Sequence, residues 1–401
     1  AMSSAQISYD QLSAVAVTVG PGLGLCLQVG VHRAAFISHQ FKVPFIPINH
    51  LEAHVLSARM ERPSLNFPFL AVIISGGHSQ FVICKGVEDY VFLGGTVDDA
   101  IGEAFDKVAR YLNLPIINNN SGGAAVENAA LQGDPFAFDF PIGMKKQANA
   151  HLSFGGLKTS VLRTLQQQEP HLMKRDVVER PFNFQSNLNE EQKHQQQLKR
   201  QEQLEKLSQL STKHDANILS EVLPTRPPMA KTSPESFTDR TIYLHSSAPH
   251  ITADVAASFQ RAAGQQLSSR LSRCLKYCHT YDSRIKKVVV SGGVARNEVL
   301  LRALSSSTMK HNMKMIVPSM KLCTDNGVMI AWAGVERLRL NQNIRPPLTA
   351  EEAATVPYYP RMPLQQKPSH LFRTSDKTKT FVEQRYFKRK AGALKPEFDS
   401  Q

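Results

Sequence analysis

The 401-residue chain is informative first through what it is short of. No run of about 18 apolar residues occurs, so neither a transmembrane helix nor a membrane partner is expected. The five cysteines, Cys26, Cys84, Cys274, Cys278 and Cys323, form no C-x-x-C pair. An odd count without that spacing suits a reducing compartment better than a disulfide scaffold. Cys274 and Cys278 stand at helical i, i+4 spacing and read as small apolar residues on one helix face. The zinc-protease pattern H-E-x-x-H is also missing. In "NHLEAHVLSARM", Glu52 lies one place too late to serve as that motif's general base.

Acidic residues run short in one region only. Residues 1–250 balance 22 Lys+Arg against 23 Asp+Glu, whereas residues 251–401 carry 25 against 11. A basic half beside a neutral half fits a polyanionic partner, nucleic acid first. A solvated basic surface or a basic tail without a ligand is the other reading. Residues 166–248 are short of aromatic and β-branched side chains. "EEQKHQQQLKRQEQLEKLSQLS" and "LPTRPPMAKTSPES" are Gln-rich, charge-mixed or Pro-rich, and are expected to form a disordered insert.

The rest of the chain is dominated by strand–turn–helix units, which predict an α/β fold. The units fall into a first-lobe remainder (1–66), a second lobe (67–165 and 249–355, ending in a return helix), and a basic tail (356–401). "SAVAVTVGPGLGLCLQVG" reads as a strand, a Gly-rich turn and a helix. A parallel-type strand needs neighbours on both sides, and almost nothing precedes this one, so the start of the first lobe is expected to be missing. "FPFLAVIISGGHSQFVIC" reads as a hairpin. Two apolar strands end in Ser-Gly-Gly, at 75–77 and 291–293, which points to two related lobes facing each other across a cleft.

Glycine after a strand lets the main chain approach a ligand and aims its N–H groups at anionic oxygens. Two such turns, with a third Ser-Gly-Gly at 121–123, favour a nucleotide-type ligand, to which His78 and Ser79 add donors. Asp98 and Asp99 read as complements of a helix dipole, while spacing leaves Asp106 open between that role and a ribose contact. His50 and His54 project side by side on a helix. With Asp325 of "CTDNG" as a third donor they make a sensible Zn²⁺ or Fe²⁺ site. The alternative for Asp325 is a helix N-cap.

Together these segments resemble the tRNA threonylcarbamoyladenosine transferases, the bacterial TsaD type and its mitochondrial counterpart, within the actin-like ATPase superfamily. The resemblance rests on "GPGLGLCLQVG", "NHLEAH", "ISGGHSQ", "DDAIGEAFDKVAR", "SGGAAVE", "LSFGGLKTS", "VVVSGGVARN" and "LCTDNGVMIAWAG", in the family's order over most of 14–164 and 251–340. It implies a two-lobed actin-like fold with a cleft. It also implies transfer of threonylcarbamoyl from L-threonylcarbamoyl-adenylate, supplied by a separate synthase, to N6 of the adenosine next to the anticodon of tRNAs reading codons that begin with A. By the resemblance His50, His54 and Asp325 are metal ligands, with one divalent ion, Fe or Zn, per subunit. Ser75, Gly76, Gly77, His78 and Ser79 are the substrate loop. Asp106, Gly123 and Glu127 hold the nucleoside end, and Asn297 is a further substrate contact. No catalytic base is implied. A homodimer and a mitochondrial location are expected, with the histidines on one lobe and Asp325 on the other. Ser79 stands where the family commonly has Thr, the 166–248 segment is longer than the family's connection, and the family's opening strand is absent. A metallopeptidase-like hydrolase and a catalytically impaired binding partner are the alternatives.

Overall fold

A computed structural model describes residues 2–116, 121–168 and 249–364. Beyond Gln168 and Leu364, the expected disordered insert and basic tail lie outside the described residues. After a single helical turn, α1 (Met2–Ala5), the chain forms β1 (Val15–Gly20), α2 (Gly24–Phe41) and β2 (Phe45–Asn49). The two strands pair in parallel, Val15 opposite Phe45 and Thr18 opposite Ile48, so the segment is a β–α–β unit. Helix α3 (His50–Glu61) starts directly at the end of β2. Asn49 caps it, its side-chain oxygen accepting from the Leu51 and Glu52 N–H groups at 2.9 and 3.4 Å. That cap satisfies donors a helix start otherwise leaves unpaired.

The second sheet has five strands in the order β5–β4–β3–β6–β7. Strands β3 (Phe69–Ile74), β4 (Ser79–Gly86) and β5 (Asp89–Gly95) form an antiparallel meander, and β3, β6 (Lys287–Ser291) and β7 (Lys314–Ile316) run parallel. The hairpin expected over 67–84 is present, and β5 extends it. The two Ser-Gly-Gly strands do not belong to facing lobes. β3 and β6 are hydrogen-bonded neighbours, Ile73 opposite Ser291, so their turns emerge side by side from one sheet edge.

Residues on alternate positions of β3 face opposite sides, as the pleat requires. Leu70, Val72 and Ile74 point into the large core with α4 (Ile101–Tyr111), α5 (Gly122–Ala130), α6 (Gly155–Gln168), α7 (Pro249–Tyr281) and α8 (Glu298–Lys310). Phe69, Ala71 and Ile73 point the other way, onto Leu51, Val55 and Ala58 of α3. Cys274 and Cys278 are buried in the large core, where desolvation pushes the Cys278 thiol up to about 12, as expected of apolar packing residues.

The chain then turns through α9 (Met320–Cys323) into α10 (Gly327–Leu340). Met329, Ile330 and Ala333 of α10 pack on Ala53 and Leu56 of α3 and on Ile46 and Ile48 of β2. Helix α3 is thus a shared wall. One side meets the five-stranded sheet and another meets α10, which explains why every residue from Leu51 to Ala58 is buried. After α11 (Ala350–Thr355) the chain joins the first unit, where Tyr359 N–H donates to Val19 O at 2.7 Å and Gly22 N–H to Pro360 O at 3.2 Å.

Candidate functional site

Three potential ligands converge where α3 begins and α10 is about to begin. His54 Nε2 lies 3.0 Å from Asp325 Oδ1, and His50 Nε2 lies 3.3 Å from the same oxygen. The imidazole centroids are 4.7 Å apart at 80°. One donor atom from each of the three lies within 4.8 Å of the others. The i, i+4 spacing on a helix delivers the two rings side by side. Asp325 is not the helix cap. Asn326 takes that role, accepting from Met329 N–H at 2.8 Å, and leaves the Asp325 carboxylate to the histidines. The two imidazole hydrogen bonds hold Asp325 far below the usual carboxylate range.

This set fits a divalent ion. Donors held about 2.0–2.2 Å from a tetrahedral zinc stand roughly 3.3–3.6 Å from one another, and the two histidine–aspartate separations, 3.3 and 3.0 Å, lie at or just below that range. His54 is fully buried, His50 is 19% exposed and Asp325 is 73% exposed, so protein encloses one side while solvent or substrate reaches the other. Two imidazoles and a carboxylate with open positions suit Zn²⁺ or Fe²⁺. The sequence expectation is corrected on one point: the aspartate does not belong to an opposing lobe, because the helix it leads into packs on the same α3 that carries the histidines.

The glycine turns adjoin this centre. Ser75 N–H donates to His78 O at 2.8 Å, and His78 N–H to Ser75 Oγ at 3.1 Å, which closes the first turn. Ser79 Oγ accepts from Ile101 N–H at 2.8 Å and so anchors the start of α4. In the second turn Gly292 has φ +104°, and an added Cβ would sit 2.3 Å from Ile74 O. Glycine alone permits that approach of two turns. Gly76, Gly77, Gly293 and Gly327 behave oppositely, since a Cβ on any of them meets nothing within 4 Å. Their main chain faces open space from both turns and from the loop that carries Asp325. Helix α9 packs against the 3₁₀ turn Gly293–Arg296, which brings that loop alongside the second glycine turn.

The remaining sequence candidates adjoin the same region. Gly102 of α4 packs directly on Ser75 and Gly76. One turn along α4, half-buried Asp106 accepts from the Gly122 and Gly123 N–H groups, although desolvation leaves its pKa raised on balance. Glu127, its pKa raised mainly by desolvation, accepts from Glu298 N–H at 2.8 Å. Asn297 is buried, donating to Gln260 Oε1 at 2.6 Å and capping α8 through Leu300 N–H at 3.0 Å. Asp98 and Asp99 precede α4 and also reach the start of α6. Asp98 accepts from Ser153 Oγ at 2.6 Å and Phe154 N–H at 2.8 Å at the entry to α6, and Asp99 pairs with Lys158 at 2.7 Å and Lys107 at 3.0 Å. Sequence reasoning missed Glu52, whose burial carried no periodic signal.

The sequence profile of the tRNA N6-adenosine threonylcarbamoyltransferases (TsaD) matches residues 1–332. The chain belongs to this family. A protein named "Probable tRNA N6-adenosine threonylcarbamoyltransferase, mitochondrial" from Arabidopsis thaliana is 34% identical over 365 residues, 91% of this chain and 62% of that protein. The tRNA N6-adenosine threonylcarbamoyltransferases of Anaplasma marginale (36% over 339 residues) and Brucella suis (33% over 376) cover 84% and 93% of this chain and 76% and 80% of their own lengths. The chain therefore spans under two thirds of the Arabidopsis relative and at least three quarters of these two bacterial ones. The fold is the actin-like ATPase fold of the family. Among solved structures, HypF of T. kodakarensis aligns over 86% of this chain and 42% of its own at 13% identity and TM-score 0.49, too remote to carry anything about the site.

Proposed function

We propose that the chain transfers the threonylcarbamoyl group of L-threonylcarbamoyl-adenylate to N6 of the adenosine next to the anticodon, in tRNAs reading codons that begin with A. The new bond joins N6 to the carbamoyl carbon. The bond from that carbon to the phosphate oxygen breaks, AMP leaves, and N6 gives up a proton. The observation that carries this reading is the His50–His54–Asp325 donor set beside open glycine turns, in a chain of this family.

His50 and His54 would each supply a ring nitrogen, and Asp325 a carboxylate oxygen, to one Fe or Zn ion. Such an ion supplies Lewis-acid charge and a template at the carbamoyl–phosphate junction when bound. The unshielded main chain of Gly76, Gly77 and Gly293 lets N–H groups approach phosphate oxygens and stabilise charge on departing AMP. Ser75, His78 and Ser79 shape that loop. Asp106, Gly123 and Glu127 would receive the nucleoside end. Asn297 has both ends of its amide engaged, so its contribution is to fix the start of α8 beside them.

A separate synthase would supply the adenylate. The basic excess after residue 250 supports tRNA binding. Homodimerisation is supported by Leu25, Val29 and Phe36, exposed along α2 at 67%, 72% and 42%. A mitochondrial location is supported by the name of the Arabidopsis relative. Against a metallopeptidase stands Glu52, whose carboxylate is buried and fully engaged rather than poised beside the histidines. Protein given the adenylate, a divalent metal and unmodified tRNA is expected to form threonylcarbamoyladenosine, read by mass spectrometry of digested nucleosides. Absence of that product with iron and zinc alike would overturn the proposal.

A further inference from the structure

Glu52 lies between the two histidines in sequence but on the other side of their helix, since a step of two residues turns the side chain by about 200°. It is 1% exposed. Its Oε1 accepts from Glu88 N–H at 2.8 Å and from Tyr90 OH at 2.9 Å, and its Oε2 accepts from Arg337 at 2.6 Å. Arg337 also donates to Pro47 O at 2.5 Å and pairs with Glu88 at 2.9 Å. The same two helices share a second ion pair, Arg59 to Glu336, with contacts of 2.9 and 3.3 Å. The polarity alternates: α3 contributes one acid and one base, and adjacent residues of α10 contribute the complement.

On α10 both pairs lie beyond the apolar crossing, where Ala53 and Leu56 meet Met329, Ile330 and Ala333. Asp325 lies on the other side of that crossing. Apolar contact is non-directional, and contact through alanines does little by itself to stop one helix sliding on another. A slip of one residue moves α10 by about 1.5 Å and turns it by about 100°. Metal ligands tolerate about 0.2 Å. Some directional contact must therefore fix the register of α10 on α3, and among the described residues these are the ion pairs the two helices share.

We propose that Glu52 is a positioning residue for the metal centre. Its buried pair with Arg337, supported by Arg59–Glu336, fixes the slide and rotation of α10 and so holds Asp325 against His50 and His54. This inference rests on the metal-site reading. It assigns Glu52 a place in the site without contact to the ion or the substrate, through a network anchored on β2 and on the β4–β5 turn.

The test is Co²⁺ and Zn²⁺ titration against a competing chelator, below the melting temperature of each variant. Glu52→Gln keeps the side-chain shape and removes the charge. Its metal affinity is expected to fall by about 10–100-fold, as for other outer-shell partners of metal ligands, with an altered Co²⁺ absorption spectrum. In an Asp325→Ala background Glu52→Gln is expected to add no further loss, because its effect passes through Asp325. If Glu52→Gln does not fold, Glu336→Gln serves instead, with a loss in the same direction. Metal affinity equal to wild type in a folded but less stable variant would overturn the inference and leave Glu52 as structural support only. So would an equal loss in the Asp325→Ala background. If the wild type binds neither ion, the metal-site reading itself fails and takes this inference with it.

Discussion

Gly292→Ala tests the side-by-side placement of the two glycine turns. Gly292 has φ +104° and ψ 162°, a region essentially confined to glycine, in which an L-residue is strained by about 1–3 kcal/mol. The added Cβ would stand 2.3 Å from Ile74 O and 2.8 Å from Ile74 C, where ordinary contact begins at 3.4 Å. The neighbour is backbone of a central strand, fully buried and paired on both edges, so it cannot swing aside as a side chain would. The turn must retreat by roughly 1 Å, and overpacking of that kind costs about 1–3 kcal/mol. The total loss is roughly 2–6 kcal/mol, read from urea midpoints at constant slope. Gly293→Ala is the control. Its Cβ meets nothing, and a change of under about 0.5 kcal/mol is expected, while the methyl group obstructs the open face and lowers transfer. Gly292→Ala as stable as wild type, or Gly293→Ala equally damaged, would refute the placement of the two turns.

Further outcomes follow from other sites. Arg270, buried in α7, donates to the carbonyls of Gly143, Met144, Gln147 and Asn149, and desolvation brings its pKa down to about 10. Arg270→Met removes one donor from each of these carbonyls, which keep Gln266, Arg273 or the Gln147 N–H as partners, and is expected to cost roughly 1–3 kcal/mol, measured by denaturation. In metal-free protein the lowered pKa of Asp325 contributes stability that is present above its unfolded value of about 3.9 and is lost as pH falls toward the folded value. Asp325→Asn should flatten that part of the acid limb in a melting-temperature profile. Affinity for tRNA should fall steeply with salt, by a slope that counts the phosphates neutralised, and a flat titration would contradict a phosphate-tracking surface.

The local units were legible from sequence because each carries its own signal. The buried run of β3, the glycine turn after it and the amphipathic spacing of α4 each needed only neighbouring residues. Partnership between distant segments did not show. β3 and β6 are more than 200 residues apart, and similar strands ending in similar turns are as compatible with adjacent strands as with facing lobes. The His50–His54 pair was visible through helical spacing. The role of Asp325 was not decided by "TDNG", because Asp and Asn both cap helices well, and the choice of Asn326 as the cap is made by the tertiary structure. In the sequence Glu52 stands out only as a carboxylate misplaced for a protease base. Its partner Arg337 lies 285 positions away.

The proposed reaction depends on one divalent ion held by His50, His54 and Asp325. Its most direct test measures metal content and transfer rate in the same preparations of wild type, His50→Ala, His54→Ala and Asp325→Ala. Each substitution is expected to lower both quantities together while the protein stays folded. Full transfer in a variant that retains no metal would contradict the account.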